Sequence, residues 1–253
     1  MTLVAEHLFL PGRVENVSLT LRSGEITAIC GPNGAGKSSL IVALAGLLPP
    51  VTGRVLLGAS DLAQVQARER ARAIGYLPQA SEAAWDISVE TLVGLGRLPW
   101  QAAPLHRAHA SAAEDAAVIE RAIRAMDLDA LRRRPLSRLS GGERARAMLA
   151  RVLAGDPRWL LADEPLASLD LAHGVRLLAG LRAQAAAGVG VVMVVHDLAM
   201  AMNHADRVVV LDHRRIVADG APEQALAEAV IAEVWGVAAH WLGEAGSRAL
   251  VVG

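Results

Sequence analysis

Short apolar runs alternate along the chain with stretches whose apolar residues recur every three or four positions. VENVSLTL (14–21) and EITAIC (25–30) predict strands, and the pattern from Lys37 through SSLIVALAGLL predicts a helix that Pro49-Pro50 stops. GRVLLG (53–58) and AIGYLP (73–78) predict two further strands around the polar, helical DLAQVQARERAR. From about 81 to 138 the texture changes. No strand pattern stands out, and VETLVGLGR, ASAAEDAAVIERAIRAM and LDALRRR predict helices separated by the loop LPWQAAPLHRAH.

Alternation then resumes with a helix over 141–154, a strand at RWLLA, a helix near 171–187, a strand at VGVVMVV and a short helix after His196. DRVVVLD and RRIVADG predict a hairpin about Arg214. Two helical turns follow in PEQALAEAVIAEVWG, and a weak strand pair closes the chain. The pattern describes an α/β sheet core, about 1–80 and 139–235, interrupted by a helical subdomain at about 81–138 and followed by an extension at about 236–253.

Composition changes this picture little. Hydrophobic residues make up 53% and charged residues 20%, enough apolar material for a sizeable core and too little charge for disorder. A net charge of −1 argues against a nucleic-acid partner held by bulk electrostatics. The single cysteine, Cys30, excludes an intramolecular disulfide and predicts a buried strand residue. No run reaches the roughly 18–20 apolar residues of a membrane span, and the N-terminus lacks a signal-peptide pattern. The sequence predicts a soluble, cytoplasmic chain that works at a membrane only if a partner holds it there.

Candidate chemistry gathers at the ends of the predicted strands. GPNGAGKSS (31–39) fits G-x-x-x-x-G-K-[ST] between a strand and a helix, the context this motif needs. Gly31, Gly34 and Gly36 let the backbone curl so that its amides face phosphate oxygens. Lys37 adds a mobile charge for the β- and γ-phosphates, and the Ser38 hydroxyl can ligand Mg²⁺. Pro32, Asn33, Ala35 and Ser39 complete the predicted nucleotide contact. Asp163 ends the apolar strand in RWLLADEP, placed to hold Mg²⁺, and Glu164 follows, placed to orient or deprotonate a water. His196 ends another buried strand and can donate to a γ-phosphate. Gln79 ends a third, and its amide oxygen could reach the metal. A second anion site is predicted at RLSGGERARAMLARVLAGDP (138–157): Ser140 and Glu143 form a capping box, and Gly141 and Gly142 leave amides uncovered, with no lysine beside them.

These residues together resemble the ATP-binding subunit of ABC transporters, in the order Walker A (GPNGAGKS), Q-loop (Gln79), signature (LSGGE), Walker B (LLADE), D-loop (168–170) and switch histidine (His196). The resemblance spans essentially the whole chain. It implies a P-loop NTPase fold with an N-terminal antiparallel β region and an inserted helical subdomain. It also implies ATP and Mg²⁺ as ligands, with Ser38, Gln79 and Asp163 on the metal, Glu164 as general base and His196 as γ-phosphate sensor. Two copies would pair head to tail, so that Ser140, Gly141 and Gly142 meet ATP held by the partner chain and Asp170 crosses the interface. ISVETLVGLGRLPW is similar to the segment after the Q-loop in importers of iron–siderophores, haem and cobalamin. That implies permease subunits in the membrane, a substrate-binding protein acting through them, and a place on the cytoplasmic face. An ABC ATPase for another substrate, or a soluble one of the iron–sulfur assembly type, is the alternative.

The resemblance also marks departures. Trp100 stands where histidine is usual, Ser39 for threonine, Glu143 for glutamine, and Ala145 where glutamine is frequent. Phe9, the one phenylalanine, is the candidate to stack on adenine, with a core role as its equal alternative. Trp85 and the 86–100 segment are the candidates for docking to the permease.

Overall fold

The structure, a computed structural model, describes residues 1–79, 86–101, 111–167 and 169–253. Trp85 and Ser168, both singled out in the sequence, lie outside the described residues.

The chain opens with β1 (Thr2–Leu10), β2 (Val14–Arg22) and β3 (Ile26–Cys30), followed by helix α1 (Lys37–Leu44). β4 (Thr52–Leu57), β5 (Ser60–Asp61), α2 (Ala67–Ala73) and β6 (Ile74–Leu77) complete the first part. The helical segment carries α3 (Val89–Gly94), which continues into a 3-10 turn over 95–97, and α4 (Ala112–Ala125). Next come α5 (Gly141–Ala154), β7 (Trp159–Asp163), α6 (Leu171–Ala186), β8 (Gly190–Val194) and α7 (Leu198–His204). The hairpin β9 (Arg207–Asp212) and β10 (Arg215–Gly220) precedes α8 (Pro222–Ala225), α9 (Glu228–Trp235), and the closing pair β11 (Ala239–Leu242) and β12 (Ala249–Val252).

Two larger sheets organise these elements. An antiparallel sheet has the order β2-β1-β4-β5, the expected N-terminal β region. The second sheet runs β10-β9-β3-β8-β7-β6, parallel from β9 to β6, with β10 antiparallel at the edge. Its central strands are buried on both faces, as parallel strands between two layers must be. Leu160, Ala162, Val191 and Met193 face the layer of α3–α6. Their neighbours Leu161, Val192 and Val194 face α1 and the antiparallel sheet. Because the strands run parallel, the carboxyl ends of β3, β8, β7 and β6 share one edge.

Local chemistry explains where sequence and structure part. β1 is a nine-residue strand that periodicity did not pick out. A bulge at His7 (φ 49°) shifts its phase, so Leu3 and Ala5 face inward on odd positions and Leu8 and Leu10 on even ones. DLAQVQARERAR is helical only over Ala67–Ala73, because Asp61 pairs with Leu56 in the sheet. LDALRRR forms one 3-10 turn, Asp129–Leu131, instead of a helix.

The helical segment is tied to the far end of α5. Buried Arg97 donates to Asp115 Oδ1 on α4 at 2.7 Å and to Ala154 O at 3.1 Å. Trp100 Nε1 donates to Gly155 O at 2.8 Å, and the guanidinium groups of Arg72 and Arg97 lie over its ring at 4.9 and 5.0 Å. These donors satisfy carbonyls that a helix C-terminus otherwise leaves unpaired. Gly96 permits the approach: a Cβ there would lie 2.1 Å from Arg151 O.

Candidate functional site

The shared strand edge collects the predicted chemistry. β3 runs into Gly31–Gly36, and α1 follows directly. Its N-cap is Gly36 at φ 99°, with no side-chain cap, so the first amides of the helix stay uncovered. Packing dictates two of the glycines. A Cβ on Gly31 would sit 2.0 Å from Leu211 O, and one on Gly36 2.1 Å from Arg13 O. Gly34 has open space around it and needs glycine only for its φ of +80°.

Lys37 is buried and folds back on the loop, donating to Gly31 O at 2.8 Å and Pro32 O at 2.9 Å. Burial pulls its ammonium below the ordinary lysine range, while Glu164, Cys30 and Asp163 draw it back up. Ser38 Oγ donates to Asp163 Oδ1 at 3.2 Å, joining the head of α1 to the end of β7. Burial raises the Asp163 carboxyl, and the Ser38 hydroxyl opposes that rise. This pair offers oxygen donors only, the hard set that suits Mg²⁺ shared with phosphate. The described residues contain no cluster of three or more His, Cys, Asp or Glu side chains that would hold a metal without the nucleotide. Cys30, next to the loop, is pushed up to about 12 by burial and stays a thiol.

Glu164 is the hub of the edge. Its backbone is left-handed (φ 52°), and its amide bonds Val194 O at 3.2 Å. His196 Nε2 donates to Oε1 at 2.5 Å, and Gln79 Nε2 donates to Oε2 at 2.7 Å. Three strand ends thus meet on one carboxylate. Gln79 therefore engages Glu164 in this state, not the Ser38–Asp163 pair for which the sequence proposed it.

A groove of about 300 Å³ runs along the cradle and is closed at its wall by Glu164 and His196. Asn33, Gly34, Gly36, Lys37, Ser38 and Ser39 line it. Phe9 does not. It sits on β1 opposite Thr52, 38% exposed, with its carbonyl bonded to Val51 N, so the adenine-stacking role read for it has no support in the geometry. Gly12 and Arg13 line the groove instead, from the turn between β1 and β2. The Pro-Gly pair at 11–12 was the available sequence signal.

Ser140, Gly141 and Gly142 do not line this groove either. α5 starts at Ser140 as the sequence proposed, with Ser140 Oγ accepting from Glu143 N at 3.2 Å and Glu143 Oε2 from Ser140 N at 2.8 Å. Gly141, Gln79 and Glu164 share a separate cavity of about 170 Å³, which Ala145 also lines. Asp170 caps α6, accepting from His173 N at 2.9 Å, and beside it Leu171 is 86% exposed.

Comparison with known proteins agrees with this geometry. Residues 14–167 match the profile of the ABC transporter family. Over 223 residues the chain is 41% identical to the hemin import ATP-binding protein HmuV of Rhodococcus jostii, covering 88% of this chain and 74% of that one. It is 42% identical over 240 residues to the protein of the same name from Myxococcus xanthus, covering 91% and 88%. Among solved structures, an inward-facing putative metal-chelate type ABC transporter shares the fold, with a TM-score of 0.83, 24% identity and 99% and 96% of the two chains covered. With a phosphate cradle, a carboxylate hub and a capped second helix set on one sheet edge, the chain belongs to the ABC transporter family, as an ATP-hydrolysing subunit.

Proposed function

We propose that this chain is the ATPase of a haem importer, working as a pair of copies on the cytoplasmic side of a membrane permease. The observation that carries the substrate class is the identity of about 41% to hemin import ATP-binding proteins across 88% of the chain. No described helix is long and apolar enough to cross a membrane, so attachment falls to the permease, with the exposed Leu95 and Leu98 of the 86–100 segment as its contact. The substrate-binding protein acts through that permease, and no nucleic acid takes part.

In this reading the Gly31–Ser39 amides and Lys37 hold the triphosphate. Ser38 and Asp163 would hold Mg²⁺, with Gln79 as a further oxygen donor if released from Glu164, and the ion would supply charge neutralisation for the phosphates. Glu164 takes the proton of the attacking water. His196 Nε2 holds that carboxylate in the resting geometry; to donate to the γ-phosphate the same N–H would leave Glu164, which frees the oxygen that takes the proton. Ser140, Gly141 and Gly142 belong to the second copy's site. Two observations support that last assignment: these residues are absent from their own chain's groove, and Leu171 is exposed beside the Asp170 turn.

The test is ATP hydrolysis by the chain reconstituted with its permease and binding protein, supplied in turn with haem, an iron–siderophore and cobalamin. Stimulation by haem alone is expected. Stimulation by cobalamin or a siderophore without haem reassigns the cargo.

A further inference from the structure

His196 has two partners to serve. Its Nε2 bonds Glu164 at 2.5 Å, and in the reading above the same N–H turns to the γ-phosphate. The ring is 46% exposed and makes no other hydrogen bond among the described residues, so the backbone that carries it decides where it stands. That backbone runs directly into α7. Asp197 is the N-cap, accepting from Met200 N at 3.1 Å, and no glycine or proline interrupts the chain from Val195 to Asp206. A displacement of α7 is therefore a displacement of His196. Met200 of α7 also shares a cavity of about 240 Å³ with His196 and Glu164.

α7 does not hold its place unaided. It has seven residues, where an isolated helix is marginal even at about 12–15, and only Ala201 and Met202 are buried. Arg182 Nη2 of α6 donates to His204 O at 2.5 Å. The main anchor is the β11–β12 pair. Asn203 Nδ2 donates to Arg248 O at 2.8 Å, and Asn203 Oδ1 accepts from Arg248 N at 2.8 Å, just before β12. The same Nδ2 donates to Ala199 O at 2.8 Å within α7. The Arg248 side chain lies along Met202, with Nη1 3.7 Å from Sδ, and reaches Glu223 of α8 at 3.9 Å. The pair is fastened from its other strand as well: Trp241 Nε1 donates to Leu226 O at 2.8 Å, and Trp241 N to Glu228 Oε1 at 3.2 Å. One bond to a carbonyl is enough to finish a helix end. A two-way bond to a residue 45 positions away also fixes where that helix lies.

We propose that the β11–β12 pair is a strut for hydrolysis and that Asn203 is its positioning residue: its bonds to Arg248 set α7, and α7 sets His196. The proposal rests on the γ-phosphate role read for His196.

The test measures ATP turnover and ATP binding by the chain reconstituted with its permease, as wild type, Asn203→Ala, His196→Ala and the double variant. Asn203→Ala is expected to lower kcat about tenfold, given that a full ångström of misplacement costs on the order of 10²-fold, and to leave KM and Kd for ATP within about twofold. In the His196→Ala background the same change should have no further effect, because nothing remains to be placed. The imidazole ¹H–¹⁵N spectrum of the isolated chain adds a direct reading: the His196 signal, assigned by its loss in His196→Ala, should shift or broaden in Asn203→Ala. Trp241→Phe keeps every bond of α7 and loosens the strut from its other strand. It should lower kcat less, again only when His196 is present, and it carries the test if Asn203→Ala does not fold. An unchanged kcat overturns the proposal. So does an equal fall with and without His196, or a loss of ATP affinity that matches the loss of kcat, since either assigns Asn203 to general stability. A His196→Ala chain that turns over at the wild-type rate overturns the role read for His196, and the purpose of the strut with it.

Discussion

α1 and α5 both begin on glycine-flanked amides, yet their first turns are finished in opposite ways. α1 has no side-chain cap; its N-cap glycine is pressed against Arg13 O, and Lys37 is tucked inside the loop. α5 has a complete reciprocal box of Ser140 and Glu143, no lysine, and an exposed Ser140 and Gly141. α4 supplies the control. Ser111 and Glu114 make the same box there, followed by Ala112-Ala113, and the next acid, Asp115, is bound by Arg97. A capping box is therefore a way to begin a helix and carries no ligand by itself. α5 differs from α4 in having Gly141-Gly142, with no Cβ, where α4 has Ala112-Ala113; Gly141 is exposed and Gly142 half-buried beside Leu169 and His173. α1 is a whole site, preorganised and charged. α5 has no lysine in its first turn, and the cation at its cap, Arg134, is paired with the Glu143 carboxylate at 3.5 Å.

The largest effect expected is on turnover. Glu164→Gln should cut hydrolysis about 10²–10⁴-fold, the usual weight of a positioned base, while both helix termini keep their ligands. Size-exclusion with ATP should then show an accumulated dimer. A variant that stays monomeric with ATP bound would break the pairing of α1 with a second copy's α5. Next comes Lys37→Ala, which removes a charge-assisted partner and should weaken ATP binding by the lone chain about 100-fold, read by titration calorimetry. Ser140→Arg should leave lone-chain affinity within about twofold and abolish the dimer in the Glu164→Gln background, because the side chain fills the surface that must meet the partner's phosphate. If lone-chain affinity fell as it does in Lys37→Ala, α5 would serve its own chain's nucleotide.

The cradle and the strand-end acids were legible in the sequence because glycine, lysine and carboxylates at strand ends have few structural substitutes. α5 was legible to the residue, since Ser140, Glu143 and Gly155 bracket it. Two kinds of feature were not. β1 was hidden by its own bulge, which breaks alternation at His7 and makes nine strand residues look aperiodic. The hub on Glu164 needs Gln79, Glu164 and His196 to converge from three strands. Sequence separation says nothing of the 2.5 and 2.7 Å contacts that result. Gly12 and Arg13 on the groove wall were hidden for a related reason: their turn packs on Gly36, 23 residues from Arg13 in the chain.

The far ends of the two helices extend the comparison to stability. α1 runs out toward an exposed Leu47, whereas the last carbonyls of α5 are held by Arg97 and Trp100. Trp100→Ala removes one hydrogen bond and two cation–π contacts, and should cost about 2 kcal/mol, lowering the melting temperature by roughly 4–8 °C. Trp100→Phe keeps a ring for the guanidinium groups and should lose less than half of that. Equal losses would mean that the indole N–H alone holds the end of α5.

The smallest effect expected lies at the start of α5, at Glu143. The backbone bond from Ser140 holds its carboxyl below the usual range of about 4.5, with Arg134 at 3.5 Å adding to the effect. A carboxyl lowered on folding stabilises the fold above its unfolded value and loses that contribution as pH falls through the folded one. Glu143→Gln keeps the box, because the amide oxygen still accepts from Ser140 N, but gives up the charge at the positive end of the helix. At pH 7 the cost should be about 0.5 kcal/mol. Below pH 4.5 the wild type should lose that advantage and the two melting curves should converge. Curves that stay equally separated across the whole acid range would show that the charge of Glu143 is not what stabilises this turn.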